Sequence, residues 1–143
     1  MIATLALAAS LNTLPPATGI AGTWAGPVLN CYDDRCMSGF SWFTVGKDGR
    51  YHGQTLAKKP GATCLSHDPE GWTGRLYRLG KDTYYAINDG ADEGYLLQVS
   101  RNRQTASSTY MGTEKDVVES NQFHKTTIAL DALLSVANGR MCQ

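Results

Sequence analysis

The sequence lacks charge at its beginning, because no charged side chain precedes Asp33. Within this uncharged stretch, residues 2–9 form an apolar run, which is followed by small residues and by Pro15 and Pro16. Such an arrangement is typical of an export signal with a cleavage zone. We therefore expect residues 1–18 to form an export signal region and residues 19–143 to form one domain. An apolar first strand is the alternative interpretation of the same run.

The chain also lacks net charge, since 13 Lys and Arg balance 13 Asp and Glu. Proteins that bind nucleic acid or anionic lipid through their overall field need an excess of positive charge, so we expect neither partner. No later stretch approaches the roughly 20 apolar residues of a membrane span. There is no Asn-x-Ser/Thr glycosylation site either. Together with the export signal, these absences favour a periplasmic or secreted protein.

Cysteine is scarce but even in number, with four residues in the chain. An even count behind an export signal indicates two disulfides. Three pairings are possible, and we favour Cys31–Cys36, because only four residues separate them, which leaves Cys64–Cys142. The alternative is a zinc site, but no cysteine pair has the two-residue gap of a zinc knuckle. We therefore predict no metal and no other cofactor.

What the sequence does contain is a series of short alternating segments between Gly, Asp and Pro turns. The predicted strands span residues 19–28, 40–45, 50–56, 72–79, 83–88, 95–100 and 105–111. Regular short strands joined by turns predict a mainly β protein, an antiparallel meander closed as a small up-and-down β-barrel or, alternatively, folded as a β-sandwich. Residues 130–138 have apolar side chains at helical spacing and predict a short C-terminal helix packed outside the sheet. Residues 113–120 are predicted to add a helical turn.

The segment Gly22-Thr23-Trp24 resembles the opening strand of calycin barrels, the lipocalin and avidin-type families. In those proteins a Gly-x-Trp begins the first strand and the Trp closes one end of the barrel. The resemblance implies a barrel with a late helix outside it, and binding in preference to catalysis. A Cys64–Cys142 disulfide would also be lipocalin-like. Biotin binding is not carried over, because the avidin set of biotin-contacting residues is not recognisable here.

Catalytic signatures are missing as well. The segment from Cys64 to Asp68 contains Ser66 and His67, but neighbours on a strand point to opposite faces and no Gly-x-Ser-x-Gly elbow is present. We predict no catalytic residues and no enzyme, with a small secreted hydrolase as the alternative. The loop of residues 89–93 offers oxygen ligands for calcium without the spacing of an EF-hand, so the sequence leaves calcium open.

The most distinctive candidate site is the short segment Tyr32, Asp33, Asp34 and Arg35 between two cysteines. A disulfide would hold these side chains on a rigid tip, and preorganised Tyr and Arg side chains are common interface anchors.

Two tryptophans, Trp42 and Trp72, are the aromatic candidates for lining a ligand cavity. The leading hypothesis from the sequence is a non-enzymatic binding protein of the cell envelope that binds or inhibits a protein partner. A lipocalin-like carrier of a small apolar ligand is the alternative. The identity of ligand or partner and the oligomeric state stay open.

Overall fold

The structure is a computed structural model that describes residues 19–113, 117–128 and 130–143. The predicted export signal at residues 1–18 lies outside the described residues. Within the described part of the chain, no helix has the length and apolar character needed to cross a membrane.

Nine strands and one short helix make up the secondary structure of the described residues. The strands are β1 (Gly22–Tyr32), β2 (Arg35–Val45), β3 (Arg50–Lys58), β4 (Ser66–His67), β5 (Trp72–Arg78), β6 (Thr83–Asn88), β7 (Gly94–Val99), β8 (Thr105–Tyr110) and β9 (Val117–Thr126). The helix α1 (Leu130–Ala137) is followed by one 3₁₀ turn (Asn138–Arg140).

Eight of these strands close into an antiparallel barrel. The order around the sheet is β2-β1-β9-β8-β7-β6-β5-β3, and β2 pairs with β3 to complete the circle. The short strand β4 lies outside the circle and pairs with the end of β3 at Leu56 and Ala57. Closure gives every barrel strand two neighbours and so removes exposed edges. The barrel predicted from the sequence is confirmed, and the sandwich alternative is wrong.

Side chains alternate along each strand between the inside and the outside of the barrel. On β2, Phe43 and Val45 point into the barrel, whereas Trp42, which precedes Phe43, points out. The inward residues form the inner core, which consists of Ile20, Trp24, Val28, Phe43, Val45, Tyr51, Leu76, Tyr84, Leu97, Val99, Ala106 and Phe123.

A second apolar cluster, the outer core, lies between the barrel wall and the helix. Trp42 and Leu56 on the outside of β2 and β3 are buried there together with Ala137 of α1. Leu130, Leu133, Leu134 and Met141 pack against them and are partly buried. Leu130, Leu133, Leu134 and Ala137 therefore form the apolar stripe of α1 that faces the barrel wall, and the predicted helix outside the sheet is confirmed.

Both favoured disulfides form. Cys31 and Cys36 face each other across the β1–β2 ladder, so their bridge closes the hairpin. Cys64–Cys142 joins the segment before β4 to the segment after α1. Backbone hydrogen bonds support this second bridge, from the Leu65 amide to the Arg140 carbonyl (2.8 Å) and from the Cys142 amide to the Leu65 carbonyl (2.7 Å).

The sequence predicts a helical turn over residues 113–120, of which residues 114–116 lie outside the described residues. The prediction is wrong for residues 117–120, which are part of the strand β9 and pair with β1, whereas β8 pairs with β9 only from Asn121 to His124. The β1 ladder satisfies the backbone of residues 117–120 in the extended conformation, so tertiary pairing overrides their weak local preference.

Candidate functional site

The barrel contains a cavity of about 290 Å³ that opens at one end. Strands β1, β3, β6 and β8 run toward this end, which we call the mouth, and the hairpin between β1 and β2 lies beside it. The lining includes apolar side chains from Phe43, Leu76, Leu97 and Phe123. Ligand cavities in proteins range upward from about 300 Å³, so this volume suits a small ligand.

The opposite end of the barrel is closed by large side chains. Trp24 is only 1% exposed, and its indole N–H donates to the Ile20 carbonyl (3.1 Å). Tyr84 is equally buried, and Arg103 donates to its hydroxyl (2.9 Å) from outside. The Lys125 ammonium lies 6.0 Å from the centre of the Trp24 ring. One end is thus packed as a solid core, and the cavity lies in the other half.

Two glycines give the aromatic wall of the cavity its shape. The Trp72 ring lies over Gly53 and the Tyr51 ring lies over Gly74, each on the neighbouring strand. A Cβ at Gly53 would stand 2.2 Å from the indole, and one at Gly74 would stand 2.3 Å from the Tyr51 hydroxyl. Because larger residues would collide with the rings, these glycines let both aromatics lie flat against the wall.

Near the mouth the lining becomes polar, and a carboxylate stands in it. Glu119 on β9 accepts hydrogen bonds from the hydroxyls of Tyr32 (2.9 Å) and Tyr95 (3.4 Å), both to its Oε1. Burial and the neighbouring Glu119 charge raise the pKa of Tyr95 above its usual range, so its phenol stays protonated and can donate. Tyr32 exposes about half of its surface at the rim.

Deeper polar side chains are bonded to one another. Tyr51 donates to Asn88 Oδ1 (2.7 Å), and burial raises the pKa of its phenol. Asn121 Nδ2 donates to the Ser108 hydroxyl (2.9 Å). On the opposite wall, the hydroxyls of Ser41 and Thr55 share a hydrogen bond of 2.6 Å. Most hydrogen-bond donors in the cavity wall are therefore already used within the protein.

Two acceptors in this wall are left over. Asn30 Oδ1 and Asn121 Oδ1 are buried and accept no hydrogen bond from the described residues. Asn121 is 8% exposed. An unpaired buried polar atom costs about 1–3 kcal/mol.

The structure separates the candidate residues around the first disulfide. Asp33 and Asp34 form the two-residue turn of the β1–β2 hairpin with positive φ values of 48° and 63°, as a type I′ turn requires. Both are exposed, as is Arg35. Tyr32 instead lies at the cavity rim through its bond to Glu119. The expected protein contact at this tip remains a prediction.

The two candidate tryptophans lie on different sides of the barrel wall. Trp72 lines the cavity, with its indole N–H 3.5 Å from the Thr55 hydroxyl. Trp42 is buried in the outer core beneath α1, where its ring centre lies 5.9 Å from that of His67. The structure therefore brings Trp72 to the site together with Tyr32, and it places Trp42 elsewhere.

The loop that left calcium open has two of its three acidic side chains, Asp89 and Glu93, bonded within the protein. Asp89 accepts from Arg50 (2.8 Å) and Thr73 (2.7 Å), and the Thr73 bond followed by the Arg50 charge lowers its pKa. Glu93 accepts from the hydroxyls of Tyr110 and Thr113, which lower its pKa as well. Within the described ranges, no group of three or more His, Cys, Asp or Glu side chains is arranged to hold a metal.

The histidines that invite a hydrolase interpretation lie outside the cavity wall. His67 pairs with the side-chain amide of Gln54 (2.7 Å), and His52 lies 3.3 Å from the Glu70 carbonyl. Ser66 points instead at the Cys142 sulfur, 3.8 Å away. The structure does not bring Ser66, His67 and a carboxylate together as a hydrolase triad requires.

The site residues that sequence reasoning missed are Asn30, Glu119 and Asn121. Two of them belong to β9, which was not predicted as a strand. On that strand the side chains of Glu119, Asn121 and Phe123 line the cavity. Of these three only Phe123 is apolar, so the apolar pattern that marks a strand with one buried face is weak here. The signal available in the sequence was the pattern Glu-x-Asn-x-Phe, in which every second residue points to the same side of a strand and two polar residues precede an aromatic one.

Comparisons with known protein families, with curated proteins and with solved structures find no match to this chain. Function is therefore argued from the chemistry of the site itself.

Proposed function

We propose that this protein binds a small molecule inside the open half of its barrel. The observation that carries the proposal is the cavity of about 290 Å³, which has an apolar floor and a polar mouth. Ligand sites are characteristically concave, mostly apolar and furnished with a few converging polar groups. The small-ligand carrier, which was the alternative from the sequence, is thus favoured over the protein-binding hypothesis.

The wall of this cavity is built to stay open. The closed end already supplies a packed core, and the β1–β2 disulfide fixes the hairpin beside the mouth. A rigid, preformed site loses little conformational freedom on binding. Two disulfides suit an oxidising compartment, so we place this function in the periplasm or outside the cell. The calycin resemblance, with Trp24 at the closed end, agrees with a carrier barrel.

A fluorescence titration with 2-naphthol, an uncharged aromatic alcohol, tests the proposal. Saturable binding is expected for the natural protein. It should be abolished by Ala86→Phe, because Ala86 lines the cavity and the added ring would occupy it. The matched control is Leu96→Phe on the adjacent strand, a partly exposed position outside the cavity lining. Circular dichroism of both variants verifies that they fold.

Loss of binding in Ala86→Phe with binding retained in Leu96→Phe would support the cavity as the site. Equal binding by all three proteins, or none by the natural protein, would overturn the proposal.

A further inference from the structure

We propose that the ligand of this cavity is a small primary amine, whose ammonium group is held by the carboxylate of Glu119. The inference rests on the proposed function and adds the chemical class of the ligand.

The first observation is the negative charge of Glu119 at the mouth. Glu119 carries the one carboxyl group among the described residues that line the cavity, and no Lys, Arg or His lines it within the same residues. The ion pairs of the described chain are Arg50–Asp89 and Arg103–Asp82, both away from Glu119. A partly buried carboxylate without a cationic partner favours a positively charged ligand, because the reduced dielectric strengthens that attraction.

The second step concerns hydrogen-bond capacity. Both tyrosine hydroxyls that contact Glu119 donate to its Oε1, which leaves Oε2 without a donor among the described residues. Glu119 therefore keeps acceptor capacity for a ligand. An ammonium group has three N–H donors and no acceptor, so it matches a carboxylate oxygen.

The third step is position. Asn30 and Glu119 are direct partners across the β1–β9 ladder, and Asn121 follows two residues later on the same face of β9. Directly opposed side chains have Cβ atoms about 4.5–5.5 Å apart, and residues two apart on a strand point to the same side. The three polar side chains thus belong to one region of the wall.

The apolar floor of the cavity indicates the chemical character of the ligand body that carries the amine. Phe123 continues the inward face of β9 below Asn121, and Phe43 lies against it with ring centres 5.0 Å apart. Leu76 and Leu97 complete this apolar floor. The volume of about 290 Å³ equals that of roughly ten water molecules at about 30 Å³ each. An amine on an aromatic or alicyclic body of about that many heavy atoms satisfies both regions.

Isothermal titration calorimetry with 2-phenylethylamine and its uncharged analogue 2-phenylethanol tests the inference. The two probes share one body and differ in the polar group. We expect the natural protein to bind the amine about tenfold or more tightly than the alcohol, since charge-assisted hydrogen bonds exceed neutral ones. Glu119→Gln should weaken amine binding about tenfold or more and leave alcohol binding within about twofold.

The matched control is Glu70→Gln, which removes the same charge from an exposed position outside the cavity lining. Amine binding in this variant should stay within about twofold of the natural protein. Preference for the alcohol or for the anion 3-phenylpropanoate, or amine binding unaffected by Glu119→Gln, would overturn the inference. In that case 2-naphthol binding abolished by Ala86→Phe would leave the proposed function standing. If no probe binds the natural protein, both fail.

Discussion

At the scale of single residues, the inside of the barrel is divided between residues that exclude solvent and residues that keep polar groups. Trp24 and Tyr84 are both 1% exposed at the closed end. Tyr51 and Tyr95 stand in the cavity wall with their hydroxyls bonded to Asn88 and Glu119. The same aromatic residue type therefore fills the core at one depth and carries hydrogen bonds at another, according to its position along the barrel.

The tyrosines of the wall predict a pH dependence. Burial raises the pKa values of Tyr51 and Tyr95 and, on the outside of β6, that of Tyr85. In the unfolded chain these phenols lose their protons near pH 10, whereas the folded chain keeps them. The unfolded state is therefore favoured increasingly as the pH rises above about 10, and stability should fall there.

Absorbance titration of the phenolate measures this directly. Tyr51, Tyr85 and Tyr95 should ionise late, together with unfolding. Tyr51→Phe should reduce the late group by one, and in urea all tyrosines should ionise in a single step near pH 10. A single step in the folded protein would contradict the expectation.

At the scale of elements, the two disulfides act on different parts of the fold. Cys31–Cys36 closes a hairpin with a sequence separation of 5, whereas Cys64–Cys142 closes a loop with a separation of 78. The second bridge holds the segment after α1 to the segment before β4, beside the outer core. The first bridge fixes the hairpin whose strand end carries Tyr32 at the cavity rim.

This difference predicts unequal losses of stability. Replacing both cysteines of a bridge by serine releases the constraint on the unfolded chain, and the cost grows with loop length. We expect Cys64→Ser/Cys142→Ser to lower the free energy of unfolding by about 4 kcal/mol and Cys31→Ser/Cys36→Ser by about 2 kcal/mol. Urea denaturation monitored by circular dichroism compares them. Equal losses, or a larger loss from the hairpin bridge, would contradict the loop-length argument.

At the scale of the whole molecule, the closed sheet links every barrel strand to two neighbours. The three tryptophans lie in three different regions of the fold. Trp24 belongs to the closed end, Trp42 to the outer core and Trp72 to the cavity wall. Because opening any pair of strands would expose the inner core, we expect these regions to lose their structure together.

Coincident unfolding is therefore the prediction for the oxidised protein. The test uses three variants, each of which keeps one of the three tryptophans. Within each variant, the urea midpoint measured by fluorescence should equal the midpoint measured by far-ultraviolet circular dichroism. An earlier midpoint by fluorescence than by circular dichroism in the Trp42 variant would instead show that α1 detaches before the barrel opens.

Much of the architecture could be predicted from the sequence, because the signals involved are local. Turn residues such as Gly46 and Gly49 mark where the chain reverses between β2 and β3, and alternation marks the strands between turns. Most of the predicted strands and the helix at residues 130–138 correspond to observed elements. The strand β9 was missed, since its inward residues near the mouth are polar and only pairing with β1 and β8 makes it extended.

The sequence by itself favoured the observed cysteine pairs and determined the antiparallel meander and the apolar stripe of the helix, because each depends on spacing along the chain. Only the tertiary structure decided that the meander closes, that Trp72 faces a cavity while Trp42 faces the helix, and that Asn30 meets Glu119. These facts depend on strand register between segments far apart in the chain. Register selects which alternate side chains point inward, and no local pattern fixes it where the interior is polar.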